Sequence, residues 1–291
     1  MSSEILNWTE SPSIDESIEK YEFHEYEPVA DTNLNKAGEI RINIVLQDLM
    51  THPAESYIQF EGRLTKADGA AYANTDAVAL TNNGLMYLFK QITYALSNQE
   101  IESVYNPGQA TTMLGMLKYP DDFAKAQGLN QLWTKDTTAT AVIAENTGFG
   151  VRQAHLIRKP TVKGTFSFIV PLKHIFGFCD DYDKIVYGFK HTLTLVRKSD
   201  DDAIFRANAA AAGKVNIDRI SWLMPHVDPA DMAKMQLYKT IETKVKLPVA
   251  FRARQCEIIT VPTSTTFSWR LSVRTASEKP RYIIVGFQTE K

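Results

Sequence analysis

At 291 residues, 44% hydrophobic and 10% aromatic, the chain has apolar surface for one large domain or two ordinary ones, which excludes intrinsic disorder as its default state. Its net charge of −2 excludes a global pull toward nucleic acid or an anionic membrane, so either partner would need a local patch. The charge is unevenly spread: residues 1–30 carry eight acidic groups against Lys20 alone, whereas residues 239–291 carry ten Lys or Arg against four Glu.

Residues 1–30 read as an acidic N-terminal arm. Ser13 and Glu16 stand at capping-box spacing, and residues 21–26 alternate aromatic with charged side chains like a first strand, enough to dock the arm on a neighbouring surface. Residues 39–46 alternate strictly, with Ile40, Ile42, Ile44 and Leu46 on one face, and residues 56–64 alternate again. A turn at Asp68-Gly69 precedes a short strand at 77–80. Residues 85–96 satisfy a helical period and a strand pattern about equally. A strand or loop at 98–105, a break at Asn106-Pro107-Gly108 and a helix over 109–118 follow.

Residues 121–148 are polar and read as a long excursion between strands, spanning about 119–150 with its ends. Strand pattern resumes at 164–170, a short helical turn is expected within 171–178, and 184–196 alternates as one strand. The charged, Ala-rich stretch 200–213 is the preferred domain boundary, with 206–213 as connector. A strand at 214–223, a Met224-Pro225-His226 break and a helix over 230–239 come next. The last stretch predicts strands at 256–261, 266–273 and 281–289, the final one buried on both faces. Many short strands without βαβ alternation make an all-β jelly roll or sandwich the expected fold.

Chemistry-bearing motifs are sparse. The histidines at 24, 52, 155, 174, 191 and 226 form no HxH or HExxH pair, and Cys179 and Cys256 have no CxxC spacing, so no metal site, cofactor or disulfide scaffold is expected. The two cysteines read as buried thiols of a reducing compartment. The pairs Asp121-Asp122 and Asp180-Asp181 and the run Asp200-Asp201-Asp202 read as solvated turns. Gly148-Phe149-Gly150 is too short for a dinucleotide fingerprint and is expected to precede no helix, and no GxSxG or P-loop occurs. Catalytic, cofactor-binding and metal residues are therefore predicted as none. Arg252, Arg254, Arg270, Arg274 and Arg281 are the local basic concentration, suited to phosphates, to an acidic arm of a neighbouring copy, or to a solvated sheet face. No basic, apolar leader and no apolar run of about 18 residues is present, so neither signal-peptide secretion nor a membrane span is expected.

The C-terminal stretch VPTSTTFSWRLSVRTASEKPRYIIVGFQT, preceded by LPVAFRARQ and ISWLMPHV, resembles the double jelly-roll major capsid protein family of Polinton/Maverick elements and related double-stranded DNA viruses. IVPLKHIFGFCDDYDKIVYGFKHTLTLVRKSDDDAIFRA resembles the closing strands of that family's first jelly roll and the acidic turn after them. The resemblance implies a structural, non-enzymatic protein: two jelly rolls side by side, homotrimeric capsomers, and capsomers tiling an icosahedral virion shell, with other capsid proteins as further partners. It also implies a first jelly roll over 31–205 and a second beginning at 214–291 that stops short of completion, through a fragment, a truncated genomic copy or strands supplied by another chain. The acidic arm is then a candidate clasp and the basic C-terminal strands its acceptor. The alternatives are a carbohydrate- or ligand-binding β-sandwich, which would display its tryptophans, and a cupin-like metalloenzyme, which would bind metal.

Overall fold

The computed structural model describes residues 17–29, 33–45, 48, 50–159, 162–264, 266–271 and 279–288. In chain order its elements are β1 (Ile18–Tyr26), β2 (Gly38–Ile44), β3 (Met50–Thr51), β4 (Tyr57–Lys66), β5 (Val78–Leu80), β6 (Phe89–Leu96), β7 (Gln99–Tyr105), α1 (Pro107–Lys118), α2 (Thr147–Leu156), β8 (Thr165–Pro171), α3 (Leu172–Ile175), α4 (Gly177–Asp181), β9 (Val186–Tyr187), β10 (His191–Arg197), β11 (Ile204–Arg206), β12 (Gly213–Pro229) and α5 (Asp231–Glu242).

One sheet runs β8-β4-β12-β3-β9, with β1 added to β12; a second runs β2-β10-β6-β7; a small third pairs β11 with β5. Pairs are antiparallel. Of the pairs in the two large sheets, only β6–β7 joins consecutive strands, so the chain crosses repeatedly between sheets. That is the winding of an all-β jelly roll, here an open one. The long β12 meets β4 from Gly213 to Leu223 and β1 from Pro229 back to Trp222, so at Trp222 and Leu223 it is paired on both edges.

Strand alternation builds the core between the sheets. Ile40, Ile42 and Ile44 of β2 and Leu193 and Leu195 of β10 face Ile58, Phe60 and Leu64 of β4 and Val215, Ile217, Ile220, Trp222 and Met224 of β12, and all are buried. The same alternation drives Arg197 inward at the end of β10. There it donates to the carbonyls of Leu88 (3.2 Å) and Val215 (3.0 Å) and pairs with Asp200 at 2.5 Å. Asp200 also accepts from the Val215 amide at 2.9 Å, so the acidic run is more than a solvated turn: one aspartate neutralises a buried arginine.

The ambiguous stretch 85–96 divides in two, a 3-10 turn over Gly84–Leu88 and then β6. Residues 184–196 form two strands: Gly188, at φ +80°, turns the chain from the six-stranded sheet to the four-stranded one. The expected break at Met224-Pro225-His226 is absent, because Pro225 needs no amide partner and its carbonyl receives the His52 amide at 3.0 Å. Residues 206–213, expected as a connector between units, link two strands of this same body, β11 and β12.

The excursion near 119–150 contributes side chains to the core. Leu132, Trp133 and Phe149 are buried, and Trp133 packs edge-on to Tyr119 at 5.0 Å. Gly148-Phe149-Gly150 lies inside α2, where Asn146 caps the helix by accepting from the Phe149 amide at 3.1 Å. Arg152 of α2 is fully buried, donating to the Leu80 carbonyl (2.8 Å) and the Thr134 carbonyl and pairing with Asp136 at 2.5 Å. Composition hid this packing because its apolar residues are separated by polar ones that satisfy one another.

The three C-terminal strands are not formed: described residues 256–264, 266–271 and 279–288 contain no strand. Tyr282 is 70% exposed and Phe287 82%, so the run expected to be buried on both faces is open. Alternation makes a strand only where a neighbour supplies ladder partners, and no pairing involves these residues.

Candidate assembly surface

The C-terminal segment meets the body at a defined joint around Arg252 and Arg254, and Gly286 also runs close to Met113 of α1. In an extended chain the amides of residues i and i+2 point the same way. Here the Arg252 amide donates to Asp181 Oδ2 at 2.8 Å and the Arg254 amide to Glu102 Oε1 at 2.8 Å, so two carboxylates take the place of a neighbouring strand's carbonyls. Arg252 adds a two-pronged ion pair with Asp181, including Nε to Oδ2 at 2.9 Å. Arg254 reaches the carbonyls of His174 (2.7 Å) and Lys173 (3.1 Å) in α3, and Asp180 at 2.8 Å. Phe251 seats its ring edge-on to Phe178 at 5.4 Å.

Glu102 of β7 is the centre of this joint. It is 3% exposed and accepts from the amides of Gly177 (3.1 Å), Phe178 (2.8 Å) and Arg254. Burial raises its pKa, opposed by those amide bonds and by the Arg254 charge. Asp181 is shifted the other way, its pKa lowered mainly by the Arg252 hydrogen bond. Gly177 is required where it stands, because a Cβ there would overlap the Arg252 carbonyl oxygen.

Beyond the joint many of the described apolar side chains are uncovered. Ile258, Val261, Phe267, Leu271 and Ile283 to Val285 are exposed, as are Met232, Met235 and Ile241 of α5, none of whose residues is buried. So much apolar surface on one segment marks an interaction surface.

At the other end, β1 is stitched to its own chain. Arg219 of β12 binds Glu25 at 2.9 Å and Glu27 at 2.7 Å, so the described part of the acidic arm takes its cation from β12 and not from the C-terminal arginines. Phe23 packs on Tyr57 at 5.4 Å, Tyr21 bonds His52 at 3.2 Å, and Tyr26 bonds His226 at 2.9 Å. His24 stacks on His226 at 3.9 Å. The capping box at Ser13 and Glu16 lies outside the described residues.

Among the described residues no group of three or more His, Cys, Asp or Glu is placed to hold a metal ion. Of the tryptophans, Trp133 and Trp222 are buried and Trp269 is half-buried; Trp8 lies outside the described residues. The basic concentration divides: Arg252 and Arg254 are spent on carboxylates of this chain, Arg281 lies 5.9 Å from the Tyr282 ring, and Arg274 falls outside the described residues. Asp180-Asp181 is thus a receptor for arginines. Sequence reasoning missed Glu102, whose neighbour Glu100 is exposed in the same strand; no local pattern separates the two.

No curated protein sequence matches the chain. In the 3.5 Å cryo-EM structure of the Sputnik virophage, a chain superposes with a TM-score of 0.54 and 10% identity, over 78% of this chain and 51% of that one. PBCV-1 VP54, fitted into a cryo-EM reconstruction of Sputnik, gives 0.51 and 10% identity over 79% and 47%. The mavirus major capsid protein gives 0.47 and 15% identity over 80% and 51%. The chain spans about half the length of these structures, and at 10% identity the likeness to the first two is one of fold. Among the described residues, no helix is long and apolar enough to cross a membrane. The double jelly roll-like domain model matches residues 78–291, most of the chain, and the protein belongs to the double jelly roll-like domain family.

Proposed function

We propose that the chain is a structural, non-enzymatic capsid subunit that forms trimeric capsomers and, through them, an icosahedral virion shell. The observation that carries this reading is the double jelly roll-like match across 78–291, laid over a jelly-roll body whose matched C-terminal part exposes its apolar side chains. Subunits of a shell bury such surface between copies. The fold shared with chains of the Sputnik particle supports the same reading. Burial of Trp133 and Trp222 removes two of the stacking rings on which a carbohydrate-binding sandwich would depend. We place the division between the two units after Pro229 instead of at 206–213, because β12 is paired with β4 and β1 along its length. Synthesis in the host cytoplasm, incorporation into the virion and contacts with other capsid proteins belong to this proposal.

The test is negative-stain microscopy of the purified chain at micromolar concentration. Uniform three-lobed particles are the expected result, and fields of single-subunit particles alone would overturn it.

A further inference from the structure

We propose that Glu102, Asp180 and Asp181 form a docking site for an extended Arg-x-Arg segment, filled here by residues 251–254 and able to exchange that occupant for the same segment of a second copy. The proposal goes beyond shell building and does not depend on it.

The receptor lies wholly on the body: Glu102 comes from β7, the two aspartates from α4, and the carbonyls that take Arg254 from α3. The occupant comes from outside it. Residues 243–250 on one side are exposed and contain no helix or strand; on the other, 255–264 contain none either, with Cys256 and Glu257 half-buried and 258–264 exposed. A segment tethered by such linkers leaves without unwinding any element, and a second copy's segment reproduces every bond. The recognition is chemically narrow. Two carboxylates accept alternate amides, which demands an extended backbone, and each arginine has its own acceptors: Asp181 for Arg252, and Asp180 with two helix carbonyls for Arg254. Asp180 also holds Lys118, at 2.5 Å, which stays in place when the segment leaves and keeps the carboxylate compensated in the open state.

The experiment uses the full chain carrying Arg252→Asp and Arg254→Asp, which vacates the site, and a fluorescent peptide of residues 247–258 followed by anisotropy. Saturable binding is expected, weakened at least about tenfold by adding Asp181→Arg or by using the wild-type chain, whose site is self-occupied. Absence of binding, or binding indifferent to Asp181→Arg, would overturn the proposal. Hydrogen exchange on the wild-type chain decides the matter if the variant does not fold. The Arg252 and Arg254 amides should exchange at least about tenfold faster than those of β4, through local opening. Exchange of both at a common rate, by global unfolding alone, would sink it.

Discussion

His191 shows how a polar side chain survives in this core. The Thr51 hydroxyl donates to the Val186 carbonyl at 3.0 Å, so the imidazole Nε2–H must donate to Thr51 at 3.0 Å, and Nδ1 accepts from Tyr94 at 2.8 Å. This arrangement serves a neutral ring. Burial, then the nearby His226, lowers the His191 pKa from 6.5 to about 4. The unfolded chain therefore takes up the proton first. The stabilisation is complete above about pH 6.5 and is lost as pH falls toward 4, an effect on the order of 3 kcal/mol. His174, lowered to about 4 by burial and then by Lys173, Lys118 and Arg254, acts with the same sign. We expect the urea midpoint to fall between pH 6.5 and 4, and His191→Gln to flatten that dependence while lowering stability at pH 7; equal slopes for the two proteins would contradict the assignment. Trp133→Ala should destabilise by about 3–5 kcal/mol, read as a lower thermal midpoint, because the ring fills a buried pocket against Tyr119. At the exposed Phe287, the same truncation should shift stability by no more than about 0.5 kcal/mol. Residue roles of this kind were partly legible. The alternation read over 184–196 places His191, Leu193 and Leu195 inward but stops one residue short of Arg197, and nothing local to Glu102 announces three amides arriving from α4 and the C-terminal segment.

The elements fall into those whose period decides them and those decided by neighbours. Strands β2, β4, β6 and β10 follow their alternation, and in β6 the phase slip between Phe89 and Ile92 coincides with a register shift opposite Val196 and Arg197. The C-terminal runs carry as strong a pattern and form no strand, because pattern supplies a face but not a ladder partner. Helix α2 went unread since its cap, Asn146, is part of a network with Asp136 (2.8 Å) and the Thr138 carbonyl (2.9 Å) that exists only when the excursion folds back. Asn146→Ala should therefore cost more than the ~1 kcal/mol of an ordinary cap, seen as a drop in the denaturant midpoint. Strand β1 draws on both: residues 21–26 alternate, and β12 supplies the ladder partner for Ile18–Tyr26. Deleting residues 1–26 bares the β12 edge over Trp222–Pro229, and we expect concentration-dependent light scattering that the intact chain does not show.

For the molecule as a whole, composition and alternation were sufficient for an all-β fold, and the C-terminal motifs for the double jelly-roll family, since both are carried by residues contiguous in sequence. The winding was not legible that way. The β4–β12 and β10–β2 pairings join strands about 150 residues apart, and that separation also concealed the pairing of residues 213–229 with β4 and β1. The joint at Glu102, Asp180 and Asp181 depends on the same long-range return. Exposed apolar side chains gather on α5 and on the segment after the joint, which the proposed function assigns to contacts between copies. Sedimentation equilibrium of the purified chain, run from low to high micromolar concentration, tests that assignment most directly. The account predicts a species of three times the 32.8 kDa chain mass, dispersed to single chains when Ile283 and Val285 are changed to Glu. A single-chain mass across the whole concentration range would contradict it.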